Sequence, residues 1–200
     1  MPHWEDVLEF TVGSIEEPRT KTRKTAKWGP AAIRTPRGGR QRRSFEACVY
    51  VGPERTLYLD AGLTRLLCSV VATGEYSWDV VDAHGASVGA LARLGSGRPL
   101  ARPNWRIDQP GRPEVIGRTE WLSGSASEVA GKALGAVLGG VLQSIGDLGA
   151  EGGDQPTKPR VLEWRAGDRV VMRSRGVESI TVSSSWLDRR LAFAYALVIR

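Results

Sequence analysis

Few side chains in this chain have the types and spacing that reaction chemistry needs. Asp82 and His84 stand two residues apart and could form an acid–base pair. Gly85 follows directly, and the run lies where two β-like segments meet, so turn chemistry accounts for the Asp and the Gly without a reaction; His84 is expected to be solvated. Ser183, Ser184 and Ser185 could supply a nucleophile, but a serine needs an adjacent general base and none stands beside them. They are expected to form an extended lead into the last segment of the chain. Cys48 and Cys68, with His3 and His84, are too few and too scattered for the usual Cys/His metal site. Met1 to Val12 lacks the basic start and apolar run of an export signal. The two cysteines are therefore expected to be reduced core residues of a cytoplasmic protein, a disulfide between them being the alternative. No nucleophile elbow, phosphate loop or dinucleotide fingerprint is present. The expectation is a protein that is not an enzyme and takes no cofactor or metal.

Charge is the stronger chemical signal. The chain of 200 residues carries a formal net charge of +6. Its cations crowd into one stretch, Arg19, Lys21, Arg23, Lys24, Lys27, Arg34, Arg37, Arg40, Arg42 and Arg43. Such a run attracts polyanions, either phospholipid headgroups or nucleic acid; the alternative is a solvated loop whose charge only aids solubility. Arg19, Lys21, Arg23, Lys24 and Lys27 are the candidate anionic-ligand-binding residues. Trp28, beside Lys27, could anchor at a membrane interface, although packing is the simpler role for it and for the other tryptophans.

The elements that must position these groups read mostly as strands. Val7 to Val12, Phe45 to Val51, Thr56 to Leu59 and Thr64 to Ala72 have β-like alternation or β-branched runs. Arg19 to Arg43 reads as a loop holding one short strand. A repeated unit follows. Trp78-Asp-Val80 leads through Asp82 and Gly85 to Val88-Gly89, and Trp105-Arg-Ile107 leads through Asp108 and Gly111 to Ile116-Gly117. Leu162-Glu-Trp164 to Met172 reads as a third copy. Each is a hairpin with Asp and Gly at its turn, and repeated hairpins point to a barrel or a propeller-like array.

Two segments read as helical. Ser125 and Glu128 form a capping box, after which Ala130, Leu134, Val137, Leu138, Val141, Leu142 and Ile145 share a face, with Gly131, Gly135 and Gly139 beside them. This glycine-rich amphipathic helix, within an insertion over 123–159, is expected to lie over a barrel edge; the alternative is a small-residue surface that meets a partner helix or a membrane. The last segment, Trp186 to Arg200, turns apolar after Asp188-Arg189-Arg190 and shows no polar face from Leu191 to Ile199. It is too short to span a bilayer, which takes roughly 20 apolar residues. A helix without a polar face must be surrounded by protein.

Taken in order, the Trp78 to Gly89 and Trp105 to Gly117 hairpins and the Asp188-Arg189-Arg190-Leu191-Ala192-Phe193-Ala194 run resemble the tubby C-terminal-like superfamily, which includes LURP-one-related proteins and phospholipid scramblases. The resemblance covers roughly Phe45 to Arg200, less the 123–159 insertion. It implies a mainly β fold, a closed antiparallel β-barrel around a C-terminal helix, in one domain over 1–200. It also implies a binding module for anionic phospholipids at the cytosolic membrane face. The basic stretch lies outside the matched motifs, so no lipid-binding side chain of the family transfers to a residue here. The alternatives are a scramblase-like lipid-translocating protein and a structural or partner-binding protein that docks through the 127–147 helix. Nucleic acid ranks below these partners, because no recognition helix or stacking platform is evident.

Overall fold

The computed structural model describes residues 3–16, 28–36, 45–95, 104–119 and 161–200. The glycine-rich insertion over 123–159 and the candidate residues Arg19, Lys21, Arg23, Lys24 and Lys27 lie outside the described residues.

Twelve strands form one closed barrel. In chain order they are β1 (Glu9–Glu16), β2 (Trp28–Pro36), β3 (Phe45–Val51), β4 (Thr56–Tyr58), β5 (Leu66–Gly74) and β6 (Ser77–Asp82). These are followed by β7 (Ser87–Leu94), β8 (Asn104–Asp108), β9 (Val115–Thr119), β10 (Val161–Ala166), β11 (Arg169–Arg175) and β12 (Ser179–Val182). Each strand pairs antiparallel with its neighbours in sequence. The barrel closes where Phe10 of β1 faces Ile180 of β12. Closure removes the unpaired edges that an open sheet would expose.

A barrel of this many strands is too wide to be filled by side chains from its walls, which suffices for about eight strands. The filler here is α1 (Arg189–Val198), a helix buried along nearly all its length. Asp188 caps it from an extended conformation, its carboxylate accepting a hydrogen bond from the Arg190 backbone N–H at 2.9 Å. The helix therefore starts at Arg189 rather than at Trp186, and the expected extended lead is an irregular segment that bends over Ser185 to Leu187 before an extended Asp188. Ala192, Ala194 and Ala196 are fully enclosed beside Leu191, Phe193 and Tyr195. Small residues between large ones let the walls approach the helix backbone.

The repeated hairpins are β6–β7, β8–β9 and β10–β11, and their tryptophans converge on this helix. Trp78 stacks on Trp105 at 5.9 Å, and Trp105 and Trp164 each meet Tyr195 edge to face, at 5.2 and 4.6 Å. The Trp164 indole N–H donates to Ser174 Oγ at 3.0 Å, and that hydroxyl lies 3.3 Å from the Tyr195 hydroxyl. The hairpin turns place Gly85, Gly111 and Gly167 at positive φ. The glycine that ends each Val/Ile-Gly pair has a different role. A Cβ on Gly117 would lie 2.7 Å from the Trp164 ring, and one on Gly89 would run into the Asp108 carbonyl and crowd Leu191. The repeat is thus a packing rule: a glycine in one hairpin opens space for a large side chain from the next hairpin or the helix.

Candidate functional site

Because the strands run alternately up and down, consecutive connections lie at opposite ends of the barrel. The proximal rim, where α1 begins, carries the N-terminal segment and the β2–β3, β4–β5, β6–β7, β8–β9 and β10–β11 connections. The distal rim carries the β1–β2, β3–β4, β5–β6, β7–β8, β9–β10 and β11–β12 connections, and α1 ends toward it.

This parity divides the basic stretch. Residues 28–36 are a full barrel strand, with Ala32, Ile33 and Thr35 buried, and β2 pairs with both β1 and β3. Arg19 to Arg43 is therefore not one loop. The chain leaves the distal rim at Glu16 and returns at Trp28, register partners across β1 and β2, so the connection bearing Arg19, Lys21, Arg23, Lys24 and Lys27 is tethered there. It leaves the proximal rim at Pro36 and returns at Phe45, again register partners, so both ends of the connection bearing Arg37, Arg40, Arg42 and Arg43 lie at the opposite rim. Arg34 belongs to neither group. Its guanidinium donates to the Ser14 carbonyl at 3.1 Å and covers the Phe45 ring at 5.3 Å.

The two rims differ in charge. Described residues of the proximal connections carry Glu5, Asp6, Asp60, Asp82, Glu114 and Asp168 against Arg65 and Arg112. Backbone N–H groups of Thr64 and Arg65 hold the Asp60 carboxyl below its ordinary range, and those of Ala86 and His84 do the same for Asp82. On the distal rim, Arg55, Arg93 and Arg175 balance Glu54, Glu75 and Glu178. The described charges of the proximal connections are thus mostly carboxylates, whereas those of the distal rim balance.

The other sequence candidates have structural roles. Asp82 Oδ1 accepts from the backbone N–H groups of His84 and Ala86 at 2.8 and 2.9 Å, which closes the β6–β7 turn. His84 is exposed at that turn. Ser183 and Ser184 donate their backbone N–H groups to the Val171 carbonyl. Cys48 and Cys68 are buried free thiols, and burial pushes both pKa values up to about 12. The side chain of Trp28 is outside the described residues.

Two buried charges escaped the sequence reading. Glu163 on β10 is 5% exposed, and its carboxylate oxygens take Arg165 Nε at 2.6 Å and Arg173 Nη2 at 3.0 Å. Burial pushes its pKa up, but the Arg173 and Arg165 hydrogen bonds outweigh this and hold the carboxyl below its ordinary value. The hairpin register sets Glu163 opposite Arg173, so the pair could have been found by aligning the β10 and β11 sequences across their turn. A surface groove of about 390 Å³ beside it is lined by Glu114, Ile116, Arg118 and Asp168. Arg189, which sequence reading treats as a polar flank, is buried. Its guanidinium donates to the carbonyls of Val7, Leu187 and Ser184 at 2.6, 2.6 and 2.9 Å. It ties the N-terminal segment to the start of α1.

Among the described residues, no group of three or more His, Cys, Asp and Glu could hold a metal ion, and no helix is long and apolar enough to cross a membrane. No family model, curated protein or solved structure matches the chain.

Proposed function

We propose that this chain is a non-enzymatic, tubby-like binding module that contacts anionic phospholipids at the cytosolic membrane face through Arg19, Lys21, Arg23, Lys24 and Lys27. The observation that carries the reading is the division of the basic stretch by β2. Both ends of the connection that carries these five residues lie at the rim whose described charges balance, and a polyanion drawn to that rim faces no excess of described carboxylates. Each Lys or Arg held near an anionic leaflet contributes on the order of 1 kcal/mol of attraction. The barrel closed around its own terminal helix is also the arrangement that the family resemblance implies. The same enclosure favours binding over lipid translocation, because α1 packs inside protein and offers no apolar face to a bilayer. The 120–160 connection leaves from the same rim, since Thr119 and Leu162 are register partners there. A partner-binding role for the 127–147 segment would thus share the face.

Flotation with phosphatidylcholine vesicles, with and without phosphatidylserine, tests the reading. The intact chain is expected to float only with the anionic vesicles. Replacing Arg19, Lys21, Arg23, Lys24 and Lys27 by Gln should abolish flotation, and replacing Arg37, Arg40, Arg42 and Arg43 should leave it largely intact. Equal loss in both variants would mean that net charge, not the distal rim, does the binding. No flotation, with retention on a DNA column, would redirect the assignment to nucleic acid.

A further inference from the structure

Among the described residues, three large apolar side chains are notably exposed: Leu8 at 61%, Val71 at 48% and Tyr76 at 49%. Two of them lie on one hairpin. β5 pairs with β4 only as far as Ser69, whereas its pairing with β6 continues to Gly74. At about 3.3 Å per residue, the β5–β6 hairpin therefore rises roughly 15 Å past the end of β4, while on its other side β7 runs alongside it as far as Tyr76 and continues to Leu94 beside β8. Val71 faces outward opposite Asp79, Val70 is buried opposite Val80, and Ala72, opposite Trp78, is exposed. Tyr76 stands in the turn, with the Arg93 guanidinium 5.7 Å from its ring centroid. Arg55, at the end of the 3-10 turn beside β5, is also exposed.

We propose that the β5–β6 hairpin tip, through Tyr76 and Val71, is the element that enters the headgroup layer when the distal rim meets an anionic bilayer. This rests on the membrane reading above and goes beyond it by naming the inserted residues and the orientation. An amphipathic aromatic side chain with an arginine beside it suits the boundary between acyl chains and headgroups. The ring is buried there while the guanidinium remains with phosphate. The tip is also on the rim that tethers the Arg19–Lys27 connection, so long-range attraction and apolar burial act on one face. Glu75, which accepts the Tyr76 hydroxyl hydrogen bond, adds one like charge at the tip. The tip therefore contributes by apolar burial, and the cations provide the attraction. A membrane docked at the opposite rim would instead meet the carboxylates of Glu5, Asp6, Asp60 and Asp168.

The test places a polarity-sensitive, thiol-reactive fluorophore on the full chain carrying Tyr76→Cys, with His84→Cys as the proximal control. The native thiols do not compete, because Cys48 and Cys68 are buried. With phosphatidylserine-containing vesicles, emission should shift to the blue at position 76 and not at 84. Unlabelled Tyr76→Ser/Val71→Ser protein, melting as the parent does, should bind these vesicles about tenfold more weakly, the scale expected for partial burial of one aromatic and one aliphatic side chain. Flotation without a shift at 76, a shift at 84 instead, or unchanged affinity of the double variant overturns this inference and leaves the binding reading standing. Absence of flotation by the parent chain overturns both.

Discussion

Gly117→Ala adds a single methyl group and should destabilise the barrel, although a strand interior would normally favour the change. Replacing a strand glycine by alanine gains roughly 0.5–1 kcal/mol in backbone entropy. Gly117 has no positive φ that would oppose this. The added Cβ, however, would sit 2.7–2.8 Å from three atoms of the Trp164 ring. That ring is fully buried, packed edge to face on Tyr195 at 4.6 Å and hydrogen-bonded to Ser174 at 3.0 Å. It cannot move without loosening the helix contact or leaving the indole N–H unpaired. Overpacking of this kind costs about 1–3 kcal/mol, and a strained or lost buried hydrogen bond adds about 1 kcal/mol. The clash outweighs the entropic gain, for a net loss of about 2 kcal/mol, or a fall in Tm of roughly 4–8 °C for a domain of this size. Urea unfolding and calorimetry of the purified chain measure it. The cycle with Trp164→Leu is the sharper test. Removing the indole relieves the clash, so the double variant should be at least about 1 kcal/mol more stable than the two single losses predict. If Gly117→Ala stays within about 0.5 kcal/mol of the parent, or the two losses simply add, the explanation of the repeated Val/Ile-Gly motif is wrong.

Three other outcomes follow from the same contacts. Asp188→Ala removes the α1 cap and the partly buried ion pair with Arg190 at 2.7 Å, and should cost about 1–3 kcal/mol in thermal unfolding; a smaller effect than Asp79→Ala on the exposed face of β6 would refute the role given to the cap. Glu163 is held below its ordinary value of 4.5 in the folded chain, so the stability it supplies is complete above its unfolded pKa and is lost as pH falls through the folded one. Glu163→Gln should therefore cost on the order of 1 kcal/mol at neutral pH and converge with the parent in acid, and a difference that grows on acidification would reverse the sign. Cys48 and Cys68, with pKa values near 12, should resist a thiol reagent at neutral pH in the native state and both react in denaturant; rapid native labelling would contradict their burial.

Legibility in the sequence varied from element to element, and the reasons are physical. β3, β4, β5 and the three tryptophan hairpins follow from local alternation and from Asp and Gly at the turns, where geometry depends on a few adjacent residues. β2 read only as one short strand within a loop because its flanks are basic and it holds two prolines; its full length from Trp28 to Pro36 follows from pairing with both β1 and β3. β1 begins at Glu9 rather than Val7 because Val7 is drawn into the anchor on Arg189. The five candidate cations were visible as charges. That their connection and the one bearing Arg37, Arg40, Arg42 and Arg43 start from opposite rims was not, since it depends on β2 crossing the barrel between them.

The sequence by itself pointed to enclosure of Leu191 to Ile199, because nine residues without a charged side chain leave a helix no strongly polar face for water. It also determined the hairpins, because their turn residues act locally. Only the tertiary structure decided which described charges share an end of the molecule, which glycines make room for Trp164 and Leu191, and which hairpin leaves Val71 and Tyr76 exposed. Those depend on register and on the parity of strands around a closed barrel, quantities that arise only when distant segments meet.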